Sequence, residues 1–247
     1  MIRFVDIHKS FGDKVILKGV SLDVERGQVL FVVGASGAGK SVLVKHLIGL
    51  IRPDSGRILL DDEDITDFTE KEFYPVRRKC AMVFQNSTLF DSMTVLDNVA
   101  LPFRKLLGLS RLEAERAALD KLALVNMERS AHQYPADLGG GLRKRVAIAR
   151  ALALEPQFMI FDEPTTGLDP VAASDVDDLI RSLRNDTGVT AIVVSHDLRS
   201  IFSVADRIAM IYQGLIRIDG SPADVRHSDD PVIQQFITGR SEGPMII

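Results

Sequence analysis

The sequence predicts an α/β fold with an antiparallel β subdomain and an α-helical subdomain inserted into the core, and three observations carry that prediction. Four continuous apolar runs, VLFVV (29–33), AMVF (81–84), FMIF (158–161) and AIVV (191–194), recur along the chain with helical segments between or after several of them. Such runs suit parallel strands covered on both faces. The N-terminal segments instead alternate apolar and polar residues, as half-buried antiparallel strands do. The stretch 86–155 holds no comparable strand run and shows helical periodicity. The expected organisation is therefore a single domain over 1–247: a core of 1–85 and 156–225, a helical subdomain of 86–155 and a C-terminal extension of 226–247.

Taken in order, Ile2, Phe4 and Asp6 alternate with Arg3, Val5 and Ile7, and Val20, Leu22 and Val24 alternate with Ser21 and Asp23. Phe11-Gly12-Asp13 makes the turn between these two strands. VLFVV runs directly into GASGAGKS at 34–41. Glycines 34, 37 and 39 let backbone N–H groups turn inward around a triphosphate, Lys40 adds a positive charge and Ser41 an oxygen for Mg²⁺. VLVKHLIGL then carries apolar side chains at helical spacing, so a bound phosphate sits at a helix N-terminus and gains from its dipole. A plain glycine-rich turn is set aside because strand, loop and helix fall in the required order. Further on, Ser110 and Glu113 form a capping-box pattern ahead of RLEAERAALDKLALV, where Leu112, Leu119, Leu122 and Val125 share a face. RKRVAIARALALE is a second helix running up to Pro156. RIAMIYQGLIRIDG reads as a hairpin about Gln213-Gly214. The tail beyond Asp230 has few apolar anchors and is expected to be loosely held.

The carboxyl ends of the apolar runs collect chemistry. Asp162 and Glu163 end FMIF, with separate tasks: Asp162 holding Mg²⁺ through water, Glu163 polarising a water for attack on a γ-phosphate. An acidic helix cap would explain one acid and not the pair. Gln85 follows AMVF and His196 follows AIVV. A glutamine there can reach Mg²⁺ or the attacking water, and a histidine can hydrogen-bond the γ-phosphate. A lone histidine between strand and helix is more often a local cap; the setting VVSHDL is what favours the functional reading.

Bulk properties bound the rest. A chain of 247 residues with 46% hydrophobic residues buries one large core, or one core and a satellite. No apolar run approaches the ~20 residues of a membrane span, and MIRFVDIHKS lacks the apolar centre of a secretion signal. The expectation is a soluble, cytoplasmic chain that meets a membrane only through a partner. The single cysteine, Cys80, forbids internal disulfides and suits a reducing compartment. A net charge of -4 without a long basic block argues against nucleic acid.

In the order of its motifs the chain resembles the nucleotide-binding subunit of ATP-binding-cassette (ABC) transporters over nearly its whole length. The residues carrying the resemblance are Phe11, GASGAGKS, Gln85, YPADLGGGLRKRVAIARAL, FMIFDEP, Gly167-Leu168-Asp169 and His196. The resemblance implies a P-loop NTPase (RecA-like) core, ATP and Mg²⁺ as ligands, and a homodimer closing head to tail, with each ATP between one subunit's phosphate loop and the other's signature motif. It assigns ATP to Gly34, Ala35, Ser36, Gly37, Ala38, Gly39, Lys40, Ser41 and Val42, with Gly139, Gly140, Gly141 and Asp169 completing the site. Mg²⁺ goes to Ser41, Gln85 and Asp162, and catalysis to Glu163, His196 and Gln85. Phe11 is the candidate adenine-stacking ring, although an aromatic in such a turn is often plain core packing. The family signature usually reads LSGGQ, and this chain has Leu138-Gly139-Gly140-Gly141-Leu142. Gly139 thus removes a hydroxyl expected to meet the opposing γ-phosphate, while the helix N-terminus remains.

Within that family, VFQNSTLFDSMTVLDNVALPFR, the apolar end of the signature and QQFITGRSEGP look like the ATPase of Mla/Mce-type lipid transporters. That resemblance implies an integral-membrane permease and an MCE-domain protein as partners, phospholipid or a related lipid as cargo, a C-terminal extension able to reach the neighbouring ATPase subunit, and a location on the inner face of the cell membrane. Leu89, Phe90 and Met93 are candidates for the permease-docking surface, with packing inside the subdomain as the alternative. Two other readings stay open: an importer for another substrate, or a regulatory ATP-binding subunit with weak hydrolysis. A DNA-repair ATPase of this family would need a long coiled-coil insertion, which the chain lacks.

Overall fold

The computed structural model describes residues 1–245; Ile246 and Ile247, the end of the expected C-terminal extension, lie outside the described residues. β1 (Ile2–Phe11) and β2 (Lys14–Val24) pair antiparallel about Gly12 and Asp13. β3 (Val29–Val33) leads through the glycine loop into α1 (Lys40–Leu47). Next come β4 (Ser55–Leu60), β5 (Glu63–Asp64), α2 (Phe73–Lys79) and β6 (Cys80–Val83). Three longer helices follow, α3 (Val95–Leu106), α4 (Arg111–Ala123) and α5 (Gly140–Leu152). The chain then returns through β7 (Phe158–Asp162), α6 (Pro170–Thr187), β8 (Thr190–Val194) and α7 (Leu198–Val204). It closes with β9 (Arg207–Tyr212), β10 (Leu215–Gly220), α8 (Pro222–Arg226) and α9 (Pro231–Thr238).

Two sheets result, one in the order β2-β1-β4-β5 and antiparallel, the other in the order β10-β9-β3-β8-β7-β6. In the second, β9, β3, β8, β7 and β6 run parallel and β10 returns antiparallel through the turn at Gln213 and Gly214. The continuous apolar runs are explained by the two faces of this sheet. Leu30 and Val32 pack into a core shared with the antiparallel sheet and α1, whereas Val29, Phe31 and Val33 pack among α3 to α6. With both faces covered, no position of β3 needs to be polar.

Three expectations are corrected. The first strand does not alternate throughout: its pairing slips between Phe4 and Ile7, Asp6 takes a positive φ of 53°, and Ile7 rejoins Ile2 and Phe4 on the buried side. An inserted bulge residue resets a period of two, and Asp6 is carried out to solvent. In α4 the buried face is Ala114, Ala118 and Leu122, while Leu112 is 70% exposed and Leu119 40%. The small alanines, four residues apart, form the seam against α3 and α5, so the leucines N-terminal to Leu122 fall on the outer face. The tail is not loosely held through Met245. Asp230 caps α9 by accepting from Val232 and Ile233 N–H groups and pairs with Arg217 at 2.6 Å; Val232, Ile233 and Gln235 are buried. Gln235 Oε1 then accepts from Met245 N at 2.7 Å, and Tyr212 Oη donates to Pro244 O at 3.2 Å.

Candidate functional site

Parallel strands β3, β6, β7 and β8 all end at one edge of the sheet, and the residues that follow them line a single cavity of about 640 Å³. Gly34, Ala35, Ser36, Gly37, Lys40 and Ser41 form one wall, and Gln85, Glu163 and His196 contribute from the neighbouring strand ends. The loop needs its glycines. A Cβ on Gly34 would stand 2.3 Å from Ile211 O, and Gly39, at φ 100°, would press one against Leu17. Positive φ at Gly34, Gly37 and Gly39, alternating with ordinary backbone between them, turns N–H groups inward and makes the concavity an anion cradle ahead of α1.

The charged groups interlock. Lys40 is 6% exposed, and its Nζ donates to Gly34 O at 2.9 Å and Ala35 O at 3.1 Å. Burial holds its ammonium below the ordinary lysine value, with the carboxylates of Glu163 and Asp162 opposing that shift. Ser41 Oγ donates to Asp162 Oδ1 at 2.6 Å, and Lys45 Nζ lies 3.8 Å from Asp162 Oδ2. Glu163 has a left-handed backbone, φ 51°, just past the end of β7. Its Oε2 accepts from Thr166 Oγ1 at 2.9 Å and lies 2.8 Å from His196 Nδ1; its Oε1 is 3.9 Å from Lys40 Nζ. Such strain is sustained where the surroundings over-determine it, and here three side chains fix the carboxylate.

The remaining candidates lie elsewhere. Asp162 meets the cavity through Ser41. Ala38, Gly39 and Val42 belong to the loop and α1 without lining the cavity. Phe11, at the end of β1, is 51% exposed outside that lining, with Lys9 Nζ 5.3 Å from its ring centroid. Gly139 caps α5, and with Gly141 and Asp169 it lines a separate cavity of about 200 Å³. Asp169 caps α6 there, accepting from Val171 and Ala172 N–H groups at 3.0 Å each. Leu89 packs against the core beneath the helices, Met93 is half-buried, and Phe90 is 49% exposed with the Arg150 guanidinium 6.0 Å from its ring.

Sequence reasoning missed two sets of residues. From α9 and the tail, Gln235, Phe236, Gly239, Arg240, Ser241 and Met245 enclose the phosphate-loop cavity on another side. The apolar residues of PVIQQFIT at helical spacing were the available signal. The other set is Lys144 and Arg150 in α5, whose side chains reach the backbone around Gln85. Burial lowers the Lys144 ammonium to about 8, with Asp162 opposing. In sequence both read as ordinary solvated helix charges.

The residues present fit a nucleotide and its metal. The inward loop and Lys40 suit phosphate oxygens, while the Ser41 hydroxyl beside the Asp162 carboxylate, with the Gln85 amide on the same cavity, offers the hard oxygen donors Mg²⁺ takes. A phosphate cradle after β3, an acid pair after β7 and a glycine-capped helix in an inserted helical region define an ATP-binding cassette. The chain belongs to the ABC transporter family, whose description matches residues 17–166. It is an ATPase of that family, resembling the Mla-type proteins. It is 38% identical over 244 residues to the probable ribonucleotide transport ATP-binding protein Mkl of Mycobacterium leprae, spanning 99% of this chain and 70% of that protein. To the intermembrane phospholipid transport system ATP-binding protein MlaF of Escherichia coli it is 37% identical, spanning 99% of this chain and 91% of MlaF. To the methionine import ATP-binding protein MetN of Rhizobium johnstonii it is 41% identical, spanning 89% of this chain and 60% of MetN. Among solved structures, the cassette MJ0796, dimeric in a post-hydrolysis state with ADP and Pi, superposes with a TM-score of 0.80 at 32% identity, covering 90% of this chain and 98% of that one.

Proposed function

We propose that the chain is the ATP-hydrolysing subunit of a transporter that moves phospholipid or a related lipid between bacterial membranes. It works as a homodimer on the inner face of the cell membrane, bound there through an integral permease and joined by an MCE-domain protein. The observation that carries the lipid reading is the extent of the match to MlaF, 91% of that protein, against 60% of MetN and 70% of Mkl. Among the described residues no helix is long and apolar enough to cross a membrane, which fits attachment through a partner. Because the identity to MetN is 41%, an importer of a small polar substrate is the second reading.

Within this reading Lys40 and the loop hold the phosphates, and Glu163 draws a proton from the attacking water. The reading is supported by the fixed position of the Glu163 carboxylate and by His196 beside it at 2.8 Å. His196 orients the carboxylate and offers its exposed face to the γ-phosphate, and Phe11 offers a flat apolar surface to the base. Ser41, Asp162 and Gln85 would hold Mg²⁺, which when bound neutralises charge on the phosphate oxygens.

The test is to purify the chain with its permease from membranes, reconstitute the complex and follow ATP-dependent transfer of fluorescent phospholipid between vesicles. Lipid transfer that stops without ATP is expected. Hydrolysis stimulated by free methionine and indifferent to phospholipid would overturn the lipid reading in favour of import.

A further inference from the structure

Five residues leave the end of β6, from Phe84 to Thr88, and the backbone carbonyls of four of them, Phe84, Gln85, Ser87 and Thr88, accept from a single helix. Lys144 of α5 donates from Nζ to Phe84 O at 3.0 Å and to Gln85 O at 2.7 Å. Six residues further along α5, about 9 Å of helix, Arg150 donates to Thr88 O at 2.9 Å, Ser87 O at 3.2 Å and Thr88 Oγ1 at 3.0 Å. Lys144 is 3% exposed, and among the described residues no carboxylate lies within ion-pair distance of it, Asp162 acting on it only from further off. A buried cation without a carboxylate partner is costly, so its retention here calls for something that an apolar residue could not supply. Carbonyl oxygens of an irregular segment, one with a left-handed residue at Thr88 (φ 49°), are that something. Charge-assisted bonds fix such a segment more firmly than neutral ones.

We propose that Lys144 and Arg150 are positioning residues that clamp the Gln85 segment at both ends, so that Gln85 and α5, whose N-terminus is Gly139 to Gly141, keep one fixed relation. The inference deepens the reading of Gln85 as a group that meets the attacking water or Mg²⁺, and rests on it for its effect on turnover. A nucleotide pressed on the start of α5 then bears on Gln85 of the same chain, which belongs to the other phosphate-loop cavity. Signature helix and glutamine act as one body.

The experiment compares parental protein, Lys144→Met, Lys144→Arg, Arg150→Lys, Gln85→Ala and the double variant Lys144→Met/Gln85→Ala as full chains. It reads kcat, KM, nucleotide affinity and amide exchange over 84–90. Lys144→Met should lower kcat by roughly 10- to 100-fold, the scale on which small misplacements act, with nucleotide affinity little changed. Lys144→Arg should recover most of that loss, and the double variant should be no slower than Gln85→Ala alone. Amides of 84–88 should exchange faster in Lys144→Met, and those after Ser87 faster in Arg150→Lys, a milder change that keeps a donor should Lys144→Met fail to fold. Parental kcat and unchanged exchange in Lys144→Met, or losses that multiply in the double variant, would overturn the clamp. A parental kcat in Gln85→Ala would instead overturn the role of Gln85, and the exchange rates would still decide whether the clamp exists.

Discussion

Gly139 stands at the N-cap of α5 in extended backbone, φ -64° and ψ 162°, with open space where a Cβ would project. Its neighbours differ: a Cβ on Gly140 would meet Leu168 at 3.0 Å and one on Gly141 would meet Ala172 at 3.0 Å. A serine therefore fits at 139 without displacement. If an opposing γ-phosphate comes to this helix start, Gly139→Ser restores a hydroxyl donor worth about 1.5–3 kcal/mol, as hydrogen bonds to charged groups are. Steady-state hydrolysis at saturating ATP should rise roughly 10- to 100-fold, with nucleotide affinity of the isolated chain unmoved. An unchanged rate in an already brisk parent would show that backbone donors suffice. At this scale the phosphate loop was legible from its spacing, and the acid pair, Gln85 and His196 from their place at the ends of apolar runs, which the fold brings to one edge of the sheet. Lys144 and Arg150 were not, since a basic residue in RKRVAIARAL looks the same whether its head group meets water or a buried carbonyl.

Between elements, Asp177 of α6 accepts from Ser200 Oγ of α7 at 2.6 Å, and its other oxygen is buried with no hydrogen-bond partner among the described residues. Burial pushes its carboxyl up to about 6, with Asp197 and Asp178 adding to the rise and the Ser200 bond and Arg181 opposing it. Because the folded value lies above the ordinary 3.8, the folded chain holds this proton more tightly than the unfolded one. The stability it contributes is whole below pH 3.8 and is lost as pH rises through about 6. The difference is on the order of 3 kcal/mol. Asp177→Asn, neutral at every pH, should therefore melt higher relative to the parent at pH 8 than at pH 4. An offset in Tm that is constant across that range would contradict the assignment. Element types were the most legible level: continuous runs became strands covered on both faces, and the Ser110–Glu113 capping box formed. The bulge at Asp6 was hidden because an extra residue leaves no mark in composition. The buried face of α4 was hidden because alanines, not leucines, make its seam. α3 was not singled out within the expected helical region; the Thr94 cap and the buried Val95, Val99 and Phe103 sustain it with Pro102 inside it.

Across the whole molecule, the phosphate-loop groups and the signature groups lie in two places, the arrangement that the family resemblance implies for a site shared between two subunits. Lys40, Ser41, Gln85, Glu163 and His196 surround one cavity, and Gly139, Gly141 and Asp169 line another. Spacing alone does not give the distance between the two places, which follows from the order in which β9, β3, β8, β7 and β6 assemble and from the position of α5 between β6 and β7 in the chain. That they belong to different sites of a dimer came from the family resemblance. The division makes sense if a second copy of the chain completes each site, which is the central claim of the proposed function. It is tested most directly by the mass in solution of Glu163→Gln, with and without ATP, measured by light scattering or sedimentation. The substitution removes the water-activating carboxylate, a loss of about 10²–10⁴ in rate, and keeps every residue of the phosphate loop, with Lys40 losing one of its two neighbouring carboxylates. A composite site predicts a monomer without nucleotide, a dimer with ATP, and no such dimer when Lys40→Ala is added. Glu163→Gln that stays monomeric at saturating ATP, or that hydrolyses ATP at the parental rate, would contradict it.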